Sequence, residues 1–321
     1  MCANPKITVL MHYVLCQHGL AGSATDFARL VERFDHQDSQ VTVIVLRANI
    51  HMFRTLDGVE SAGNRCFKEI CQLIHSQVIP IGSTVSVLGH SMGGLYLRYA
   101  MRKIEMENGE IWAHYSLIRK YAVFIASPHC GVWSSSWIVS IGCNVFLKHI
   151  VNTARDVILA SDILLDLTDA PGLAALNGFD RVILYGNRAR DKVVSASSAL
   201  VLCPSMSVLE NASRQAKSDV MIITEFLHEH TEENAQADLI TPCRGNDKQS
   251  KIVQNLNAGL KRVTRYLVDS PSTLPSLFEE FDNTAHTRII CHGLTDRNRV
   301  GLPMIEHLRR ILGGTEAVPS S

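Results

Sequence analysis

The feature that most constrains the fold of this chain is a turn at residues 89–93, which reads GHSMG. An apolar run at residues 84–88 comes directly before the turn, and a helical segment at residues 92–107 follows. Glycines two residues to either side of a serine remove the Cβ atoms that would collide in so tight a strand-to-helix turn. We therefore predict Ser91 as a nucleophile presented above the edge of a sheet. The residues of this predicted elbow are Gly89, His90 and Gly93.

Short apolar runs alternate with longer helical segments along the chain, which is typical of an α/β fold with a mostly parallel central sheet flanked by helices. The chain has 321 residues, 46% of them hydrophobic, and can bury a large core. We predict one domain over residues 1–312, with a polar surface excursion at 228–250 and a disordered tail at 313–321. The predicted strands are residues 13–16, 41–46, 84–88, 122–125 and 182–185, with weaker signals at 220–224, 262–268 and 287–291. The predicted helices are residues 23–34, 58–76, 92–107 and 301–312.

Charge and cysteine usage exclude several classes of protein. Lysine plus arginine equals aspartate plus glutamate at 31 each, so the summed charge offers no attraction to nucleic acid. The nine cysteines form no Cys-x-x-Cys pair, which indicates free, mostly buried thiols in a cytoplasmic protein. The apolar stretch at residues 133–151 is interrupted by polar side chains, so we expect a soluble or peripheral protein rather than a membrane-spanning one. Nothing in the sequence indicates the oligomeric state.

Backbone N–H groups that could stabilise an oxyanion are predicted at two places. The first predicted strand runs into a glycine-containing loop at residues 17–22, and in an architecture with a serine elbow this loop supplies one donor. We expect the N–H of Leu20 to act with that of Met92, which lies at the start of the helix after the turn. His18 precedes a glycine turn, and we expect its side chain to brace the loop.

A serine hydroxyl needs a general base, and the base needs a carboxylate to orient it. In this architecture the order along the chain is serine, acid, histidine. Asp191 follows the predicted strand 182–185 across a short polar loop and is the predicted acid. His292 would stand at the carboxyl end of a strand at 287–291, and His286 just before that strand. The other histidines after Asp191 are His228, His230 and His307.

Two further segments bear on function. Residues 127–176 are longer than a simple crossover and include a strongly apolar part, so we predict a cap or lid that covers an acyl pocket or touches a lipid surface. A core crossover helix is the alternative. His228 and His230 could share one strand face, but they have no further ligands nearby in the sequence, so we predict no metal site and no cofactor.

Several blocks of the chain, in the same order, are similar to the eukaryotic Rog-type family of serine esterases or lipases. The blocks are residues 17–27 (QHGLAGSATDF), 55–70 (TLDGVESAGNRCFKEI), 88–99 (LGHSMGGLYLRY), 124–132 (FIASPHCGV), 162–169 (DILLDLTD), 185–194 (YGNRARDKVV) and 285–308. The resemblance implies an α/β-hydrolase fold, the hydrolysis of lipid esters, the acid at Asp191 and the base at His286, with His292 as the rival. Cys130 stands where the family commonly has leucine.

The resemblance therefore predicts a carboxylic-ester hydrolase that acts on acylglycerol-type or lysophospholipid-type esters. Its partners would be a lipid or small acyl-ester substrate, with peripheral contact to a membrane or lipid-droplet surface. An acyltransferase that uses the same three residues and a catalytically silent interaction module of the same fold are the alternatives.

Overall fold

The computed structural model describes most of the chain. The described residues are 11–35, 40–132, 152–188, 191, 193–202, 221–225, 247–271, 285–291 and 300–314. The strands are β1 His12–Gln17, β2 Val41–Val45, β3 Thr84–His90, β4 Ile118–Ile125, β5 Arg181–Asn187, β6 Ile222–Glu225 and β7 Val263–Asp269. The helices are α1 Ala28–Asp35, α2 Val59–His75, α3 Met92–Asn108, α4 Ile111–His114, α5 Asn152–Val157, α6 Ile163–Asp166, α7 Ala170–Asn177, α8 Ala196–Leu200, α9 Asp247–Gly259, α10 Ala285–Arg288 and α11 Leu302–Leu312. Two 3-10 helices, Ala24–Phe27 and Met52–Thr55, complete the set among the described residues.

The seven described strands form one sheet in the order β2-β1-β3-β4-β5-β7-β6. The strands pair in parallel, except that β6 runs antiparallel to β7. Strand β3 lies near the centre and is buried from Val85 onward, because helices cover both faces of the sheet. A sheet of this order, with the serine turn at the end of a central parallel strand, is the α/β-hydrolase fold. The predicted fold class is confirmed.

Each face of the sheet carries its own hydrophobic core. On one face, α2 and α3 pack together and contribute residues such as Ile70 and Leu95, both fully buried. On the other face, α1 and α11 contribute Leu30 and Leu308. Helix α3 is buried over most of its length. Its N-cap residue, Ser91, is therefore held in the middle of the molecule.

The sequence located the first five strands, but the prediction of a strand at 287–291 was wrong. The chain instead forms the one-turn helix α10, and Ile289, Ile290 and Cys291 are buried in the core directly after it. These apolar residues pack in the core beside α1 and α11 and pair with no described strand. The predicted excursion at 228–250 ends in α9, whose buried residues include Ile252 and Leu256. Residues 228–246 lie outside the described residues.

The C-terminal end of α11 is tied to the first strand. His12 Nδ1 donates to the carbonyl of Leu312 (2.9 Å), and its Nε2 accepts from the hydroxyl of Ser86 (2.7 Å). Ser86 Oγ in turn accepts from the N–H of Tyr121 (3.0 Å). The carbonyl of Leu312 can only accept, so Nδ1 carries a proton, and in the neutral ring that burial favours Nε2 is the acceptor.

Two sequence expectations concern the cysteines and membrane-spanning helices. The described cysteines are free and buried, as predicted; they are Cys16, Cys66, Cys71, Cys130 and Cys291. In the described part of the chain, no helix combines the length and the apolar character needed to cross a membrane. The tail beyond Gly314 lies outside the described residues.

Candidate active site

The turn at Ser91 has the strained backbone that the sequence predicted. Ser91 lies between β3 and α3 with φ 53° and ψ −129°, a conformation that costs free energy in a non-glycine residue. A Cβ on Gly89 would lie 2.5 Å from Gly94 Cα, and one on Gly93 would lie 2.1 Å from the carbonyl oxygen of Gln17. Only glycine fits at these two positions, so the turn can pack against the end of β1.

The three side chains predicted from the sequence are joined by hydrogen bonds. Ser91 Oγ lies 2.8 Å from His286 Nε2, and His286 Nδ1 lies 3.0 Å from Asp191 Oδ2. Because the carboxylate can only accept, Nδ1 carries the imidazole proton and Nε2 is free to accept the serine proton. The series has the geometry of a nucleophile, a base and an orienting acid.

Asp191 is held in place by donors other than the imidazole. Its carboxylate accepts the N–H of Val193 (3.0 Å), the N–H of Val194 (2.8 Å) and the side-chain amide of Asn187 (2.9 Å). Burial acts to raise the pKa of Asp191, but the charge and hydrogen bond of His286 and these donors outweigh it and hold the pKa below its ordinary value. The carboxylate is therefore ionised at neutral pH, as an acid that stabilises an imidazolium must be.

His286 reaches the serine because it lies on α10. The helix is a single turn, and Arg288 anchors its end by donating to the carbonyl of Pro271 (2.9 Å), just beyond β7. This places the imidazole at the carboxyl edge of the parallel strands, where Ser91 also lies. The rival base, His292, lies outside the described residues.

The loop after β1 lies directly against the nucleophile. A Cβ on Gly19 would be 2.8 Å from Ser91 Cβ and 3.2 Å from the backbone nitrogen of Met92. The next residue is Leu20, so both predicted oxyanion donors are beside Ser91. Within the described ranges, neither of their N–H groups has an acceptor in the protein. His18 Nδ1 donates to the carbonyl of Gly19 (3.0 Å), which is the bracing role expected of it.

Comparison with known proteins agrees with this geometry. Residues 9–205 match the family described as "Putative serine esterase (DUF676)". The chain belongs to this family. No curated protein matches it in sequence.

Some of the solved structures that are similar to this family member are structures of lipases. Lipase B of Aspergillus fumigatus has a TM-score of 0.39 and 16% identity over 58% of this chain. Phospholipase PlaB of Legionella pneumophila has a TM-score of 0.38 and 15% identity over 56% of this chain. The match spans 39% of the length of each of these two proteins. The lin2722 gene product of Listeria innocua has a TM-score of 0.48 and 8% identity over 95% of both chains.

A second histidine of the candidate site supports the first. His90 Nε2 donates to the backbone carbonyl of His286 (2.9 Å), and the two ring centroids are 4.9 Å apart. Burial, and secondarily the charge of His286, lowers the pKa of His90 to about 3, so this side chain is neutral near pH 7. The sequence placed His90 on the elbow but gave no indication of this contact, which joins residues far apart in the chain.

A buried arginine joins α3 to the segment after β4. Arg98 Nη1 donates to His129 Nδ1 (3.2 Å), and Nη2 donates to the carbonyl of Leu167 (3.1 Å). Burial lowers the pKa of Arg98 to about 10 and holds that of His129 well below its usual value, so the arginine stays charged and the imidazole neutral. Sequence reasoning missed this pair, although both residues lie in blocks that resemble the esterase family.

Other sequence expectations fall partly or wholly outside the described residues. Of the predicted cap at 127–176, residues 127–132 and 152–176 are described, and the apolar part at 133–147 is not. The histidines at 228 and 230 are not described either, so the absence of a metal site stays a prediction. Asp169, in the described part of the predicted cap, is the N-cap of α7 and pairs with Arg102.

Proposed function

We propose that this protein hydrolyses carboxylic esters through an acyl-enzyme formed on Ser91. The observation that carries the proposal is the hydrogen-bonded series from Asp191 through His286 to Ser91. The strained turn that presents the serine and the backbone N–H groups beside it support the same chemistry. The family match supports an esterase at a general level.

In the first half of the reaction, Ser91 Oγ bonds to the ester carbonyl carbon while His286 Nε2 takes the serine proton. The negative carbonyl oxygen accepts hydrogen bonds from the N–H groups of Leu20 and Met92, and ionised Asp191 stabilises the imidazolium. The carbon–oxygen bond to the alcohol then breaks, and His286 returns its proton to the leaving alkoxide.

In the second half, water takes the place of the alcohol. His286 removes a proton from water as its oxygen bonds to the acyl carbon, and the bond to Ser91 Oγ breaks. The proton passes back to Ser91, and a free carboxylic acid leaves. The steps use only protein groups and water.

We propose lipid esters as the substrate class, of the acylglycerol or lysophospholipid type. The resemblance of the sequence blocks to Rog-type members supports this choice, as does the apolar composition of residues 133–147 within the predicted cap. Free buried thiols such as Cys16 and Cys66 support a cytoplasmic location.

The test is turnover of an ester panel of increasing acyl length, with the products identified. We expect wild-type protein to release free acid, with the highest kcat/KM on medium or long acyl chains, and Ser91→Ala to release none. A competing alcohol in the same assay separates hydrolysis from acyl transfer. Predominant transfer to the alcohol would replace the proposal by an acyltransferase, and no turnover of any ester would reject both.

The identity of the base is tested by replacing two histidines separately. We expect His286→Ala to lower kcat by at least about 10⁴-fold, because it removes the group that accepts the serine proton. His292→Ala is expected to retain most of the turnover. The reverse pattern would assign the base to His292.

A further inference from the structure

An exposed loop beside the active site combines apolar and basic side chains. The loop lies between β2 and α2, and we call residues 47–54 the basic tip. Phe53 is 76% exposed and Ile50 is 40% exposed, and Phe53 is the most exposed large apolar side chain in the described part of the chain. Exposed positively charged side chains flank them on the same loop, namely Arg47 and Arg54.

The charge of the basic tip is uniformly positive. From residue 46 to residue 56 the sequence contains no aspartate or glutamate. Two carboxylates beside the tip are engaged with protein groups. Asp57 pairs with Arg65 (2.7 Å), and Glu69 accepts the backbone N–H groups of Arg47 and Ala48 (2.8 and 2.7 Å). The charge of Asp57 is matched by Arg65, so the single negative charge of Glu69 only partly offsets the two arginine charges of the tip.

Thr55, which directly follows the basic tip, attaches it to the active site by hydrogen bonds. Thr55 Oγ accepts the N–H of Ala21 (3.0 Å), in the loop that carries Leu20. The carbonyl of Thr55 accepts the hydroxyls of Tyr96 (3.0 Å) and Thr153 (2.8 Å). The tip also follows the carboxyl end of β2, which is the edge of the sheet where Ser91 follows β3. A surface that contacts the tip therefore lies beside the catalytic edge.

We propose that the basic tip docks the enzyme on the surface of an anionic lipid aggregate. Phe53 and Ile50 would enter the boundary between headgroups and acyl chains, and Arg47 and Arg54 would pair with anionic headgroups. The proposal rests on the proposed function only in that docking would bring lipid esters to Ser91.

Other exposed apolar side chains supply a matched control. Ile81 is 59% exposed, and it lies just before β3, at the amino edge of the sheet. This edge is opposite the one that carries Ser91 and the basic tip. Replacing Ile81 removes a comparable exposed side chain without touching the tip.

The experiment is flotation of the protein with vesicles of phosphatidylcholine containing phosphatidylserine. Every variant is made in the Ser91→Ala background, so that binding is measured without lipid turnover. We expect Phe53→Ser to weaken binding about tenfold, because it removes a large apolar anchor. Arg47→Gln should weaken binding about fivefold on these vesicles and leave binding to pure phosphatidylcholine unchanged. Ile81→Ser should bind as the parent does.

Thermal unfolding of each variant checks that it is folded, since exposed side chains make few contacts to lose. Failure of the parent to float, or equal binding by Phe53→Ser and the parent, would overturn the proposal. The proposal would also be overturned if sedimentation showed that Phe53→Ser loses self-association while no vesicle binding is found. Flotation without turnover of any ester by the wild type would reject the proposed function alone, and turnover of soluble esters without flotation would reject the docking surface alone.

Discussion

At the scale of single residues, His286 is held at three points. Its ring contacts Asp191 at Nδ1 and Ser91 at Nε2, and its backbone carbonyl accepts from His90. The first two contacts set the tautomer and the direction of proton transfer. The third fixes the backbone of the short helix α10, so the ring stays in place as its proton moves. In the proposed mechanism His90 is thus a positioning residue, because it would act on the substrate only through His286.

Replacement of His90 tests this positioning role. We expect His90→Phe to lower kcat about tenfold or more with little change in KM, because the buried carbonyl of His286 loses its donor and the base is no longer aligned. His90→Gln retains an N–H donor near the position of Nε2 and should recover most of the loss. Steady-state kinetics on one soluble ester makes the comparison. Equal losses of kcat in His90→Phe and His90→Gln would show that the hydrogen bond to His286 does not position the base.

At the scale of elements, the position of the nucleophile depends on how α2 and α3 pack. Gly63 of α2 lies against Tyr99 of α3, where a Cβ would be 2.5 Å from the tyrosine ring. This close approach sets the axis of α3, whose first turn carries the N–H of Met92. The stability of the helix pair and the geometry of the elbow are therefore linked through one small residue.

Adding a methyl group at this contact should destabilise the protein. We expect Gly63→Ala to lower the free energy of unfolding by about 1–3 kcal/mol, as overpacking of a core does. Gly109→Ala, at the C-terminal end of α3, is the control. Its φ of −57° suits alanine, and the change should be small. Denaturant unfolding measures both changes. Equal unfolding midpoints for Gly63→Ala and Gly109→Ala would contradict the packing argument.

Local patterns in the sequence predicted much of this architecture. The strand, the glycines and the helix around Ser91 are contiguous, so their signal is complete within one segment. The choice between His286 and His292 is different, because it depends on whether residues 287–291 pair as a strand or pack as a helical turn, which tertiary packing decides. Helix α9 was missed although Ile252, Val253 and Leu256 have helical spacing, because the polar stretch that runs into the helix was interpreted as a surface excursion. The contact of His90 with His286 joins positions 196 residues apart, which no local pattern encodes.

At the scale of the whole molecule, buried neutral histidines couple stability to pH. Burial lowers the pKa of His12 to about 4 and that of His90 to about 3. In the unfolded chain both would titrate near their ordinary value of about 6.5. As pH falls from about 6.5 to about 4, the unfolded chain therefore binds protons that the native protein does not. Stability decreases over this interval.

The contribution of His12 can be isolated by substitution. We expect the free energy of unfolding of the wild type to fall as pH is lowered from 7 to 4, with His12 contributing about 3 kcal/mol of the fall. His12→Asn removes the titrating group and should have a visibly shallower dependence. Denaturant unfolding at several pH values makes the measurement. The same slope in both proteins would show that His12 is not the group responsible.

The chemistry of Ser91 is tested most directly by a fluorophosphonate, which reacts with an activated serine and stays attached. We expect mass spectrometry to find one adduct on the wild type, mapped to Ser91, and none on Ser91→Ala. Labelling of His286→Ala should be far slower, because the serine loses its base. An adduct that persists in folded Ser91→Ala, or no adduct on the folded wild type, would contradict the assignment of Ser91 as the nucleophile.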